Sequence, residues 1–203
     1  MRKKSESRRI KILKTATKLF LKKGYEKTSM DELTNKLGYS KATIYNYFPS
    51  KKDLFIQAIH EVTIINAKKI FTILAKLRSQ PEEFWLTLHA VGRSYLHLQL
   101  SNEVMGLTRI VIAEGQNLKL KELTEEFGPS KGWQEVANCF EEAMKNNILR
   151  TVDPMLASMH FKGLLESEVI DQRMKNIISS VSDEKIEEVI NAAVDVFKRA
   201  YQA

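Results

Sequence analysis

The chain has 203 residues, 43% hydrophobic and 28% charged, which excludes a disordered chain and suits one or two domains. Its single cysteine, Cys139, excludes an intramolecular disulfide framework and a cysteine-based zinc site. The net charge of +7 is unevenly spread: residues 1–52 hold 15 Lys/Arg against 4 Asp/Glu, a local +11, leaving 17 basic and 21 acidic residues, −4, for the rest. A basic head on a mildly acidic body points to an N-terminal surface made for a polyanion.

Helical signals run almost throughout, and no strand is read. Ile12, Leu13, Ala16, Leu19 and Phe20 form one face of a first helix over about 7–23. Lys22 and Lys23 suit the negative end of its dipole, and Gly24 follows as the residue past its end. Thr28-Ser29-Met30-Asp31-Glu32 offers two overlapping capping boxes. Met30, Leu33 and Leu37 are the buried face of that second helix, and Gly38 stops it. Ser40 is a good N-cap for a third short helix. Ile44 and Phe48 point inward from it, and Pro49 ends it.

Ser50 with Asp53 opens a fourth helix that meets no breaker before Pro81. At about 28 residues it is about 42 Å long, long enough to link two bodies. The expected domains are 1–52 and 53–203. Further helices are expected over 81–100, 103–114 and 119–127. A turn at Gly128-Pro129 precedes helices from Gly132 or Trp133 to Asn147 and from Pro154 to about Val169. The stretch 170–182 is ambiguous, and a last helix runs from about Asp183 to Tyr201. Ser182 with Lys185 fails as a capping box.

Three short helices with a tight Gly38-Tyr39-Ser40 turn between the second and third make a helix-turn-helix pattern. The exposed face of the third carries Lys41, Thr43, Tyr45, Asn46 and Tyr47. A face built only for solubility favours Glu and Lys, whereas these residues suit phosphates and base edges. Leu37-Gly38-Tyr39-Ser40-Lys41-Ala42-Thr43-Ile44-Tyr45-Asn46-Tyr47-Phe48-Pro49-Ser50-Lys51-Lys52-Asp53-Leu54 resembles the TetR/AcrR family of bacterial transcriptional repressors. The stretches Ile12–Phe20, Lys23-Gly24-Tyr25 and Thr28–Leu33 extend the likeness to about residues 8–58. Thr34-Asn35 departs from it, where the family commonly has alanine.

The third helix is expected to enter the major groove, where each base pair shows a distinct donor and acceptor pattern. Lys41 suits guanine or a phosphate, Asn46 adenine or a phosphate, and Ala42 and Thr43 a thymine methyl. Tyr45 is assigned to phosphate and Tyr47 to the groove, with burial in the head as the alternative for either. Thr28, Ser29, Ser40 and Lys51 complete the candidate DNA-contacting set, Ser29 and Lys51 lying at helix N-termini that favour a phosphate. The arm Arg2, Lys3, Lys4, Arg8 and Arg9 is read either as following the DNA backbone or minor groove, or as a solvated tail.

The resemblance implies an all-α protein of about nine or ten helices, its three-helix DNA-binding head joined by the long helix to a ligand-binding and dimerisation body. It implies a homodimer on a (pseudo)palindromic double-stranded operator. Candidate interface residues are Trp133, Val136, Phe140, Met144, Met155 and Met159, with intramolecular core as the alternative. It also implies a small lipophilic effector. Candidate pocket residues are Trp85, Leu88, His89, Tyr95, Met105 and Arg109, with Gln116 as a further polar group and ordinary core as the alternative.

No catalytic constellation is read. His60, His89, His97 and His160 lack the i, i+4 spacing of a helical metal pair. No enzyme activity, cofactor or metal is expected, and Cys139 is expected to be buried and inert. The longest apolar run, Ile110–Ala113, is far short of the roughly 20 residues of a membrane span. No apolar segment follows Met1-Arg2-Lys3-Lys4, so no secretory signal is read and a cytoplasmic location is expected. The expected function is a sequence-specific DNA-binding regulator, a repressor released by its effector. The alternatives are a same-fold activator or architectural factor without an effector, or a helical adaptor whose basic head binds membrane or RNA.

Overall fold

In a computed structural model of the chain, which describes residues 5–118 and 129–203, ten α-helices follow one another among the described residues. They are α1 (Glu6–Lys23), α2 (Met30–Leu37), α3 (Lys41–Tyr47), α4 (Lys51–Ser79), α5 (Phe84–Leu100), α6 (Asn102–Leu118), α7 (Pro129–Lys145), α8 (Pro154–Glu166), α9 (Ile170–Met174) and α10 (Asp183–Tyr201). A single 3-10 turn, Pro81–Glu83, precedes α5. The expected all-α class holds. The extended pairing described is one isolated bridge, Leu149 with Gln202. The expected helix over 119–127 and Gly128 lie outside the described residues.

The helix ends follow the chemistry read from the sequence. Gly24 has φ +78° and its N–H bonds the Phe20 carbonyl, while Gly38 sits in the left-handed region at φ +67°. An L-residue is strained at both positions. The hydroxyls of Ser29, Ser40 and Ser182 accept from the N–H three residues on, and Asp153 accepts from Met155 and Leu156. At Ser50 the box is reciprocal: its Oγ accepts from the Asp53 N–H at 3.0 Å and donates to the carboxylate at 2.7 Å. Ser182 caps although Lys185 stands three residues on, because the cap needs only that residue's backbone N–H. Pro129 begins α7 and is no turn residue, since its missing N–H is one the first helical turn leaves unbonded.

The chain divides into two compact units. The first is residues 1–65 with the stretch that starts at Gly106; Asn66–Met105 and the C-terminal helices form the second. The break falls inside α4, thirteen residues beyond the expected 52/53 boundary. The reason is burial: Leu54, Phe55, Ile56 and Ala58 of α4 and Leu107 of α6 belong to the core of the head. That core is built on Ile12, Leu13, Ala16, Leu19 and Phe20, with Leu33 and Ile44 from the next two helices. Phe20 meets Phe55 edge-on at 4.9 Å.

In the second unit Phe84, Leu88, Val91, Tyr95 and Leu96 carry α5 through the core. A Cβ at Gly92 would lie 3.0 Å from Leu165 and 3.4 Å from Ile190, so glycine lets α8 and α10 close on α5. Phe140 is ringed by Phe84, Phe161 and Phe197. Cys139 is buried, its thiol directed at the Leu74 carbonyl. Buried Arg173 donates to Asn102 at 2.8 Å. No helix among the described residues is long and apolar enough to cross a membrane.

Candidate nucleic-acid interface

Helix α3 stands on two buried residues. Ile44 and Phe48, one turn apart, go into the head core, which turns Lys41, Ala42, Tyr45 and Asn46 outward. Tyr45 is 39% exposed, so its ring lies on the outward face of the helix. Ser40 fixes the start of the helix: its Oγ accepts the Thr43 N–H at 3.1 Å and pairs with the Thr43 hydroxyl at 2.8 Å. The departure at Thr34-Asn35 does no harm. The Thr34 hydroxyl bonds the Asp31 carbonyl at 2.6 Å, and Asn35 is exposed.

The polar residues divide into two groups. Lys41 is exposed but points at Asp31, with 2.7 Å between ammonium and carboxylate. The hydrogen bond to Asp31, with that group's charge, holds the Lys41 ammonium above its ordinary pKa. A pair this exposed is weak, so a phosphate can replace the carboxylate. Ser29 and Ser40 are exposed caps. The second group is occupied by the fold. Thr28 is 4% exposed and its hydroxyl donates to the Gly24 carbonyl at 2.7 Å, so Thr28 is corrected from a DNA contact to an internal strut.

Lys51 is half-buried and bonded within the head. Its ammonium donates to the carbonyls of Tyr25 at 3.0 Å and Glu26 at 3.3 Å, and lies 4.2 Å from the centre of the Tyr25 ring. It ties the start of α4 to the loop after α1. Lys51→Met keeps the stem and removes the charge. It should cost about 1–2 kcal/mol of stability and leave the salt dependence of DNA binding unchanged. A salt slope lower by about 1 per subunit would instead place a phosphate at Lys51.

Sequence spacing gave no sign of a set of contacts between α1 and the helix-turn-helix. Arg8 and Lys11 lie over the Tyr39 ring at 5.5 and 5.7 Å. Tyr47, half-buried, has its hydroxyl on the backbone of Ser5: the Ser5 N–H donates to it at 2.9 Å, and it donates to the Ser5 carbonyl at 3.4 Å. Arg9 bonds Gln57 at 2.8 Å and pairs with Glu6 and Glu61, so of the expected basic arm it turns inward. Arg2, Lys3 and Lys4 lie outside the described residues.

The body residues scatter. Leu88 and Tyr95 are buried in the core, with half-buried Trp85 packed against it. The Tyr95 hydroxyl donates to Glu166, and burial first, then the Glu166 charge, pushes its pKa up. His89 faces α10, 3.0 Å from Asn191 and 3.6 Å from Glu187. Met105 is buried and Arg109 belongs to the other unit. The side chain of Gln116 lies outside the described residues. An open groove of about 460 Å³ in the body, lined in part by Val169, Gln172, Val181 and Lys185, takes in none of these residues.

Of the interface candidates, Trp133, Val136 and Phe140 are buried in the core of a single chain, with Met144 packed against it. They are corrected to intramolecular core, because α5, α8 and α10 already cover the apolar face of α7. Met155 is half-buried and Met159 is 37% exposed.

A short, doubly supported helix presenting a polar and aromatic face from a basic three-helix head is the arrangement of a helix-turn-helix DNA-binding protein. A family model described as "Bacterial regulatory proteins, tetR family" matches residues 12–58. One described as "AefR-like transcriptional repressor, C-terminal domain" matches residues 86–203, more than half of the chain. The chain belongs to the TetR family of bacterial transcriptional regulators.

A putative TetR-family regulator from Mesorhizobium loti is 25% identical, with 98% of this chain and 100% of that one covered and a TM-score of 0.86. The flavonoid-responsive regulator FrrA is 30% identical over 97% of this chain and 98% of its own, with a TM-score of 0.73. The regulator YerO of Bacillus subtilis is 29% identical over 111 residues, 54% of this chain and 38% of YerO. The chain thus spans less than two fifths of the length of that curated relative.

Proposed function

We propose that the protein is a homodimeric repressor that binds an inverted-repeat operator and is released by a small lipophilic effector. The observation that carries the DNA-binding reading is the outward face of α3, Lys41, Ala42, Tyr45 and Asn46, held on Ile44 and Phe48. The family description of the body as a repressor domain supports the sign of regulation, and the responsiveness of FrrA to flavonoids supports a lipophilic effector.

For the dimer, α8 and α10 supply a better surface than α7. Leu156 (51% exposed), Met159, His160 and Gly163 form one stripe of α8, and Ala192, Val196 (48% exposed) and Ala200 one stripe of α10. These helices pack against each other; the α8 stripe follows the i, i+3, i+4 spacing of a helix face and the α10 stripe the i, i+4, i+8 spacing. Two copies joined there would form a four-helix interface and present two α3 helices, as paired half-sites need.

Selection from random duplex DNA tests the reading: the chain should enrich an inverted repeat, and failure to enrich any would overturn it. Lipophilic compounds that raise the unfolding midpoint should then weaken operator binding, because an effector must prefer one conformation to shift an equilibrium. Equal operator affinity with and without a bound compound would remove the release step. The scatter of Leu88, His89 and Tyr95 over core and surface favours a second reading, a same-fold regulator without an effector. Consistent silence in that compound screen would favour it.

A further inference from the structure

We infer that Arg8 and Lys11 of α1, held over the ring of Tyr39, form a clamp for the phosphodiester backbone of the operator beside the groove that α3 enters, with Tyr39 as the positioning residue. The inference rests on the DNA-binding reading above. It adds a DNA-contacting element outside α3, one that reads no bases.

The first two turns of α1 lie along α3. Ser5, just before α1, is clasped by the hydroxyl of Tyr47, the last residue of α3. Farther along, Arg8 and Lys11 reach the turn that leads into α3: the Arg8 guanidinium carbon is 5.5 Å and the Lys11 ammonium 5.7 Å from the centre of the Tyr39 ring. Tyr39 stands two residues before Lys41, where α3 begins. It is half-buried and packed against the head core. The fold therefore fixes the ring, and the ring fixes the two cations next to the recognition helix.

Three features mark the pair as a site for an outside anion. Both side chains are exposed. Neither has a carboxylate partner among the described residues, whereas Arg9, the neighbour of Arg8, is paired with Glu6 and Glu61. And the two stand three residues apart on one helix, where like charges repel. The face of an aromatic ring attracts a cation within about 6 Å, which offsets part of that repulsion, and an anion between the two relieves it. A phosphodiester suits both, since guanidinium and ammonium each donate to phosphate oxygens. Duplex DNA that takes α3 into its major groove carries a phosphate strand along each side of that helix, and α1 lies along one side.

The same face of α1 supplies a control. Lys18 is also exposed, and two turns beyond Lys11 it lies about 10 Å farther along the helix. Arg8→Gln, Lys11→Gln, Lys18→Gln, Tyr39→Leu and Tyr39→Phe are compared with the unaltered chain, as is Tyr39→Leu combined with Arg8→Gln and Lys11→Gln. Affinity and salt slope are measured on the selected operator, on operators changed at single base pairs and on unrelated duplex.

Arg8→Gln and Lys11→Gln should each lower the salt slope by about 0.9 per subunit. Each should weaken operator and unrelated duplex by the same factor and leave the base preference unchanged, while Lys18→Gln should leave the slope as it is. Tyr39→Leu should weaken operator binding about two- to fivefold per half-site, and should have no effect once Arg8 and Lys11 are replaced. Tyr39→Phe should bind as the unaltered chain does, because the ring face and not the hydroxyl holds the cations. Unchanged slopes in Arg8→Gln and Lys11→Gln would return the pair to a solvated face, and a changed base preference would put them on base edges. An equal loss of slope in Lys18→Gln would assign the effect to the charge of the whole head. A Tyr39→Leu loss that persists without the two cations would make Tyr39 a packing residue of the turn. Each of these overturns the inference and leaves the DNA-binding reading in place; an unaltered chain that enriches no operator sinks that reading itself.

Discussion

Asn46→Ala should weaken operator binding by about 30-fold or more and erase the preference for one base pair in each half-site. Asn46 is exposed on α3, one turn after exposed Ala42, so the two share the face that meets the groove. A carboxamide can both accept from and donate to the edge of adenine, and such a pair is worth about 1–3 kcal/mol. In the proposed dimer the substitution occurs in both subunits, so the cost there is about 2–6 kcal/mol per operator. Alanine is the better helix former, and the head loses no core atom, so its unfolding midpoint should hold. Competition among operators changed at single positions reads the result. An equal loss on every sequence would mean that Asn46 touches phosphate and that specificity is set elsewhere on α3.

Phe140→Ala should lower the free energy of unfolding by about 3–5 kcal/mol, a large share of the roughly 5–15 kcal/mol of a typical domain. Phe140 is fully buried, with the rings of Phe197 at 5.2 Å, Phe84 at 6.2 Å and Phe161 at 6.3 Å. Three helices besides its own supply those neighbours, so the cavity cannot close by a shift of one of them. Leu156→Asp is the contrast. Half of that side chain faces outward from α8, so its loss should spare the helical content of the subunit. It should instead convert the dimer to monomer in sedimentation and abolish operator binding. Denaturant titration and sedimentation together decide the matter. A Phe140→Ala chain that unfolds at the usual denaturant concentration but sediments as a monomer would put the interface back on α7.

The head was legible because its signals are local. Ser29, Ser40 and Ser50 each bond a backbone N–H three residues away, and Gly24 and Gly38 each supply one positive φ. A reader of the sequence needs no knowledge of the rest of the fold to place them. The contacts of Lys51 are not legible in this way, because its partners are distant. A lysine at a helix start suits a phosphate in general, but this one finds two carbonyls 25 and 26 residues back. The clasp between Ser5 and Tyr47 spans 42 residues, and no periodicity announces it.

The body shows the same limit on a larger scale. Spacing along α7 identifies an apolar stripe through Trp133, Val136 and Phe140. It says nothing about whether α5 and α10 of the same chain or a second chain lies against that stripe. Here the same chain does, and the exposed apolar residues fall on α8 and α10 instead. The order of the helices, their caps and the chemistry of the α3 face were determined by the sequence alone, because backbone hydrogen bonding and helical periodicity act over a few residues. Only the tertiary structure decided which of the described basic side chains remain outward and which apolar stripe is already covered. Those depend on which distant segments come together, and burial is a property of the assembled chain.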